Sequence, residues 1–224
     1  MLKKLQNIFK NKLTAFILMP LVFAFLGLTL LYFSASPIIN PALDIFSLIT
    51  ADFKVNEITN HDLLDLNTLP QYSGEIKAST ITFPSVGDKY GILTIDGTEV
   101  EADLYFGDTR RELKLGLGQY NGSCFPGTGG TVLISGHNNS AFKDLKSAKV
   151  GDKVNIRTNY GLYVYEITGT AIKKNTDKSA YDLFKNEENL VLYTCYPFDR
   201  LGLTADRYFV YGKIVAGPKV LVRE

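Results

Sequence analysis

Between residues 90 and 215 the chain is cut into short apolar runs by turn-forming residues, and this limits the folds open to it more than any other feature. Tyr90-Gly91-Ile92-Leu93-Thr94-Ile95 and Val100-Glu101-Ala102-Asp103-Leu104-Tyr105 flank Asp96-Gly97, a strong hairpin turn. Thr131-Val132-Leu133-Ile134-Ser135 and Lys153-Val154-Asn155-Ile156-Arg157 follow. Asn159-Tyr160-Gly161 turns the chain into a fifth run over 161–171. One further run ends in Tyr193-Thr194-Cys195-Tyr196, and the last opens with Asp206-Arg207-Tyr208. Strands at this spacing, with few helical intervals, predict an all-β sandwich or barrel of about 150 residues. Such a length buries a core without disulfides. The 13 Tyr and 14 Phe, without any Trp, suit strand-rich structure. Short helices are expected at 140–146 and 179–185.

Ahead of this domain lies a different texture. Residues 13–36 are 24 residues without a charge, mostly apolar. As a helix they span about 36 Å at ~1.5 Å per residue, enough for a hydrocarbon core of roughly 30 Å. The four lysines of residues 1–12 precede it with no acid among them. By the positive-inside rule they place a cytoplasmic N-terminus before a single-pass membrane helix, with the remainder outside the cell. A cleavable signal peptide, cut after the small residues Ser34-Ala35-Ser36, is the competing reading. The uncharged run exceeds the usual ~7–15 residues of a signal's apolar core, which favours a retained anchor. Asn40-Pro41 reads as a cap and first-turn proline opening a short helix over 42–49. The polar, aperiodic stretch that follows reads as a stalk, with one more helical turn near His61, itself a solvated polar residue. The expected organisation is therefore a basic N-terminus (1–12), a membrane helix (13–36), a stalk (37–75) and a β domain (76–224).

The charge gives no sign of a nucleic-acid surface. The net charge is +1, and with the four N-terminal lysines set aside 20 basic and 23 acidic residues remain. Cys124 and Cys195 could form at most one disulfide, and their spacing fits no zinc pattern. Gly127-Thr128-Gly129-Gly130 lacks the Lys-Ser/Thr and helix of a phosphate loop and reads as a turn before a buried strand. Arg110 and Arg111 read as surface charges.

Three residues at strand ends carry chemistry when taken together. His137, one of two histidines, lies just past the end of the 131–135 run; Cys195 ends one run and Arg207 opens the next. Taken singly, the cysteine is compatible with a small core residue and the arginine with a surface charge. As a set they suit acyl transfer: a thiolate attacks a carbonyl, an imidazole moves protons and a guanidinium faces the developing oxyanion. A catalytically silent β-barrel binding module is the alternative, separable by whether a thiol-reactive probe labels Cys195. A Cys/His metal site is a third reading, disfavoured because two separated ligands cannot close a tetrahedral zinc site, and metal analysis separates it.

Val132-Leu133-Ile134-Ser135-Gly136-His137 and Leu192-Tyr193-Thr194-Cys195, followed by Arg207, resemble the His, Cys and Arg motifs of sortases, the membrane-anchored cysteine transpeptidases of Gram-positive bacteria. The resemblance covers roughly residues 90–215. Gly-Leu-Gly-Gln-Tyr-Asn-Gly-Ser (116–123) and Thr-Cys-Tyr-Pro-Phe (194–198) are most similar to class D sortases. One departure is Val191, which stands where the Thr-Leu-x-Thr-Cys signature has its first Thr; it is far enough from the thiol to leave the chemistry alone.

The resemblance implies a mainly β, closed barrel of about eight strands with short helices. It implies Cys195 as nucleophile, His137 as proton donor and acceptor, and Arg207 as substrate or oxyanion stabiliser. Thr194, Ser135 and Tyr196 are secondary substrate-binding candidates. The implied partners are secreted proteins with a C-terminal LPxTG-like sorting signal, a peptidoglycan precursor or other amine acceptor, and the cell membrane, with no cofactor and no metal. The connection 196–206 and the interval 172–188 are expected to wall the substrate groove.

Overall fold

The computed structural model of the protein describes residues 16, 18–34, 63–64, 73–198, 200 and 204–221. Two compact units result, Met1–Ile49 and Thr50–Glu224.

In the first unit residues 18–34 form helix α1. Among the described residues no helix is long and apolar enough to cross a membrane. The expected single-pass anchor, with its cytoplasmic N-terminus and extracellular domain, is thereby overturned. The expected helix over 42–49, His61 and the basic residues 1–12 lie outside the described residues, as does most of the expected stalk. Leu63 is an exception: its N–H donates to the Lys89 carbonyl at 2.9 Å and its side chain packs on the domain core.

The second unit holds β1 (Glu75–Lys77), β2 (Lys89–Ile95), β3 (Glu101–Phe106), helix α2 (Arg110–Leu115), β4 (Leu117–Gln119) and β5 (Thr131–Ser135). Then come β6 (Lys153–Thr158), β7 (Leu162–Lys174), β8 (Asn189–Tyr196), β9 (Asp206–Ala216) and β10 (Lys219–Leu221). Eight strands close into a barrel in the order β2-β3-β4-β5-β8-β9-β7-β6, and β1 pairs with β10 in a separate parallel ribbon. The closed, mainly β architecture expected from the sequence is what the chain forms.

Alternation builds most of it. Along β6 the residues Val154, Ile156 and Thr158 are buried and their neighbours half-buried, the period-2 pattern of a strand with one face inward. β5 differs because all five of its residues are buried, as befits a central strand pairing parallel to β8 under cover on both faces. Tyr90, Leu93, Leu104, Val132, Ile134, Val154, Ile156, Tyr163, Leu190, Leu192 and Val210 fill the interior. A second cluster of Leu133, Val191, Phe209 and Ala180, joined by Leu183, Tyr193 and Tyr211, lies on the other face of β5, β8 and β9.

The departures from the predicted elements have local causes. Helix α2 carries a reciprocal capping box in which Thr109 and Glu112 satisfy each other's end of the first turn. Arg110 and Arg111 are exposed on it, as expected. No helix forms over 179–185. Asp177 accepts the Ser179 N–H at 2.8 Å and Asp182 the Phe184 N–H at 2.9 Å, so side-chain turns replace helical bonds. Over 140–146 the chain turns repeatedly and ends in a 3-10 helix, Leu145–Ser147.

The glycine-rich turn before β5 is a small anion nest already filled from within. The N–H groups of Gly127 and Gly129 donate to the Glu188 carboxylate at 3.0 and 3.3 Å, and the Tyr165 hydroxyl adds a third bond at 2.7 Å. Gly130, at a φ of 87°, would drive a Cβ to 2.7 Å from the Cys124 sulfur, so only glycine fits there. Cys124 and Cys195 are both free thiols.

Candidate active site

Strand register brings the predicted residues to one rim of the barrel. β5 runs parallel to β8 with Leu133 opposite Val191 and Ser135 opposite Tyr193. β9 runs antiparallel on the other side of β8, setting Tyr211 opposite Val191, Phe209 opposite Tyr193, and Arg207 opposite Cys195. Because side chains alternate, these residues share the outer face, while Val132, Ile134, Leu190, Leu192 and Val210 point into the barrel. The outer face therefore reads in rows: Leu133–Val191–Tyr211, then Ser135–Tyr193–Phe209, then Cys195–Arg207 at the edge.

His137 follows β5 on the same rim. Beyond Ser135 the chain stays attached to β8, since Gly136 N–H donates to the Tyr193 carbonyl at 3.3 Å. The Thr194 hydroxyl donates to the Gly136 carbonyl at 2.7 Å. Thus His137 follows β5 at the level where Cys195 follows Tyr193 on β8. The His137 carbonyl accepts the Phe142 N–H at 3.0 Å, which folds the following turn back against the rim.

Each flank of the row is held. The Arg207 Nη1 group donates to the Thr204 carbonyl at 2.6 Å and the Asp206 carbonyl at 2.9 Å, fixing the guanidinium. On the far side of Arg207, β7 places Lys173 opposite it. The Lys173 ammonium bonds the Ser179 carbonyl at 2.9 Å and hydroxyl at 3.0 Å, tying the β7–β8 connection to the rim.

The three secondary candidates fall differently. Thr194 is 2% exposed and Ser135 6% exposed, and their hydroxyls donate to carbonyls of Gly136 and Gly118, the second at 3.4 Å. Tyr196 is half-buried, edge-on to Phe198 with ring centres 6.3 Å apart. Tyr193 was not singled out from the sequence, yet it lies one row below Cys195 and stacks on Phe209 at 5.7 Å. Its signal was the two-residue spacing from Cys195 along an apolar strand. Burial pushes the Tyr193 hydroxyl up from its ordinary value, the Ser135 hydroxyl bond pulls it back, and the Asp108 charge adds to the rise. Asp108 itself is raised, chiefly by burial, against a backbone hydrogen bond that lowers it and with Glu112 repelling it.

Two cavities lie away from this row. One of 480 Å³ sits between β3, α2 and Ser140-Ala141; another of 320 Å³ lies at the opposite end of the barrel, beside Gly127, Tyr163 and Glu188.

A closed eight-stranded barrel with Cys, Arg and His converging on one rim defines a class, and comparison with known proteins agrees. Residues 93–215, 123 of the 224, match the sortase domain family, so the chain belongs to the sortase family of cysteine transpeptidases. It is 35% identical to Sortase D of Bacillus subtilis over 132 residues, covering 59% of this chain and 67% of that protein. The likeness to class D read from the sequence is thereby supported. Among solved structures, sortase C1 of Streptococcus agalactiae is 27% identical with a TM-score of 0.52, covering 57% of this chain and 67% of that one. A Clostridium perfringens Sortase D5 transpeptidase superposes with a TM-score of 0.52 at 24% identity, covering 58% and 81%.

Proposed function

We propose that the enzyme cleaves an LPxTG-like sorting signal of secreted proteins and joins the new carboxyl end to an amine of the cell wall or of a pilin. The register pair Cys195–Arg207, with His137 locked alongside through Gly136, carries this reading. The Cys195 thiolate attacks the carbonyl carbon of the signal's Thr–Gly bond. Negative charge gathers on that carbonyl oxygen, and the anchored Arg207 guanidinium faces it with charge-assisted donors. The C–N bond breaks as His137 protonates the departing amine, leaving a thioester on Cys195. An incoming amine then gives its proton to His137, attacks the thioester and releases the Cys195 thiolate, a two-step exchange with ping-pong kinetics.

The outer face supports a peptide lying against rows already partly roofed. Ala180 and Leu183 of the β7–β8 connection pack over Leu133, Val191 and Phe209, and the signal's Leu-Pro docks along that wall. The test is transfer of a sorting-signal peptide to a soluble amine, followed by mass spectrometry. Wild-type protein yields a thioacyl adduct on Cys195 and an amide product, and Cys195→Ala yields neither. Cleavage by Cys195→Ala at the wild-type rate would overturn the scheme.

A further inference from the structure

We infer that Asn138 is a positioning residue that sets the spacing between His137 and Cys195, an inference that rests on the roles proposed for those two residues. Asn138 directly follows His137, is 9% exposed and lies beyond the end of β5, where no ladder remains to hold the chain. Its side-chain amide nitrogen donates to the Pro197 carbonyl at 3.1 Å and reaches the Arg200 carbonyl at 3.5 Å. The Pro197 carbonyl also accepts the Arg200 N–H at 3.4 Å, closing a turn just past Cys195.

The effect is a bracket. The residue before His137 is bonded to the residue before Cys195, through the Thr194 hydroxyl on the Gly136 carbonyl. The residue after His137 is bonded to the carbonyl two places after Cys195, through the Asn138 amide. Imidazole and thiol are each carried between two fixed points, although they stand 58 positions apart in the sequence. Asparagine suits the task because its amide offers two N–H donors to two carbonyl acceptors. An aspartate of the same shape would put oxygens against oxygens, and a serine is too short to span both. Proton transfer is steeply sensitive to such geometry, a displacement of about 1 Å costing up to ~100-fold.

The experiment compares wild type, Asn138→Asp and Asn138→Ser for peptide cleavage kinetics, for the pH profile of Cys195 alkylation by iodoacetamide, and for melting temperature. The alkylation profile reads proton exchange between Cys195 and His137, which a merely structural role would leave in place. Both variants are expected to lose kcat by at least about tenfold with KM little changed, and to shift the alkylation profile. If Asn138→Asp does not fold, Asn138→Ser carries the same comparison. A folded variant with wild-type kcat and alkylation profile overturns the inference, as does a lowered melting temperature with both kinetic readouts unmoved. Cys195→Ala and His137→Ala serve as controls. If they too retain activity, the proposed catalytic roles fail; if they are inactive while the Asn138 variants are not, only the bracket fails.

Discussion

Replacing Thr194 by valine removes one hydroxyl and nothing else of the side chain's shape. That hydroxyl donates to the Gly136 carbonyl at 2.7 Å in a position only 2% exposed. Losing the bond costs about 1 kcal/mol net, and leaving a buried acceptor without a donor raises the cost to about 1–3 kcal/mol. For a domain of this size each kcal/mol lowers Tm by about 2–4 °C, so Thr194→Val is expected to melt about 2–12 °C lower. The same bond holds the backbone just before His137 against β8, so kcat for signal-peptide cleavage is expected to fall by about tenfold. KM should stay near wild type, since Thr194 faces inward from the row that carries Cys195. Calorimetry and Michaelis–Menten kinetics on the purified protein read both effects. A variant with wild-type Tm and kcat refutes the argument, and so does one whose KM rises while kcat is unchanged, because that is the mark of a substrate contact.

Other perturbations test separate parts of the same rim. Arg207→Lys keeps the charge but loses the planar fork, and kcat is expected to drop about 10²–10³-fold; a loss below about threefold would remove Arg207 from the oxyanion role. Lys173→Met frees the Ser179 carbonyl and hydroxyl at the end of β7, so KM for the peptide should rise with kcat held, and an unchanged KM would show that this tie does not shape the groove. Asp108 is raised above its ordinary value by burial, so the folded state favours its neutral form. The stability it contributes is present below its unfolded value of about 3.9 and is lost as pH rises through the folded value. Asp108→Asn mimics the neutral form and is expected to melt above wild type at pH 7, with the gap shrinking towards pH 4. A gap independent of pH would contradict this.

The strands readable in the sequence are those whose alternation the barrel uses directly. Thr131–Ser135 and the starts of Lys153–Thr158 and Asp206–Ala216 fall where the apolar runs place them. What escaped is what tertiary contact creates. Leu117–Gln119 has three residues, one a glycine, and becomes a strand only because β3 and β5 offer it edges on both sides. Helix α2 did carry a signal, Thr109-Arg110-Arg111-Glu112, the capping-box spacing, masked by two charges that read as surface. Residues 179–185 carry helix formers, but Asp177 and Asp182 capture the backbone N–H groups first. The long uncharged segment marks a helix, yet among the described residues no helix is long and apolar enough to cross a membrane. Of the proposed site, His137, Cys195 and Arg207 stand out in the sequence as candidates because each marks a strand boundary. Asn138 does not, because nothing in a sequence shows which distant carbonyl an asparagine amide will find.

The order in which those boundaries fall follows from strand direction. β5 and β8 are parallel, so the rim receives both at their C-terminal ends, which puts His137 and Cys195 just where each strand stops. β9 is antiparallel to β8, so the same rim receives it at its start, and Arg207 is its second residue. An end, an end and a start is what this rim of a parallel pair with an antiparallel neighbour receives. The parallel pair needs a crossover, and residues 136–188, with β6 and β7 among them, supply it while closing the far side of the barrel. The wide sequence gap between His137 and Cys195 is therefore a consequence of barrel closure, whereas the 12-residue step from Cys195 to Arg207 is a single connection between hydrogen-bonded neighbours. A substitution that shifted β9 by one residue against β8 would turn Arg207 to the opposite face and bring Asp206 or Tyr208 opposite the thiol. Such a chain should keep its far-ultraviolet circular dichroism and lose transfer activity, the outcome that separates a barrel from a barrel with a site.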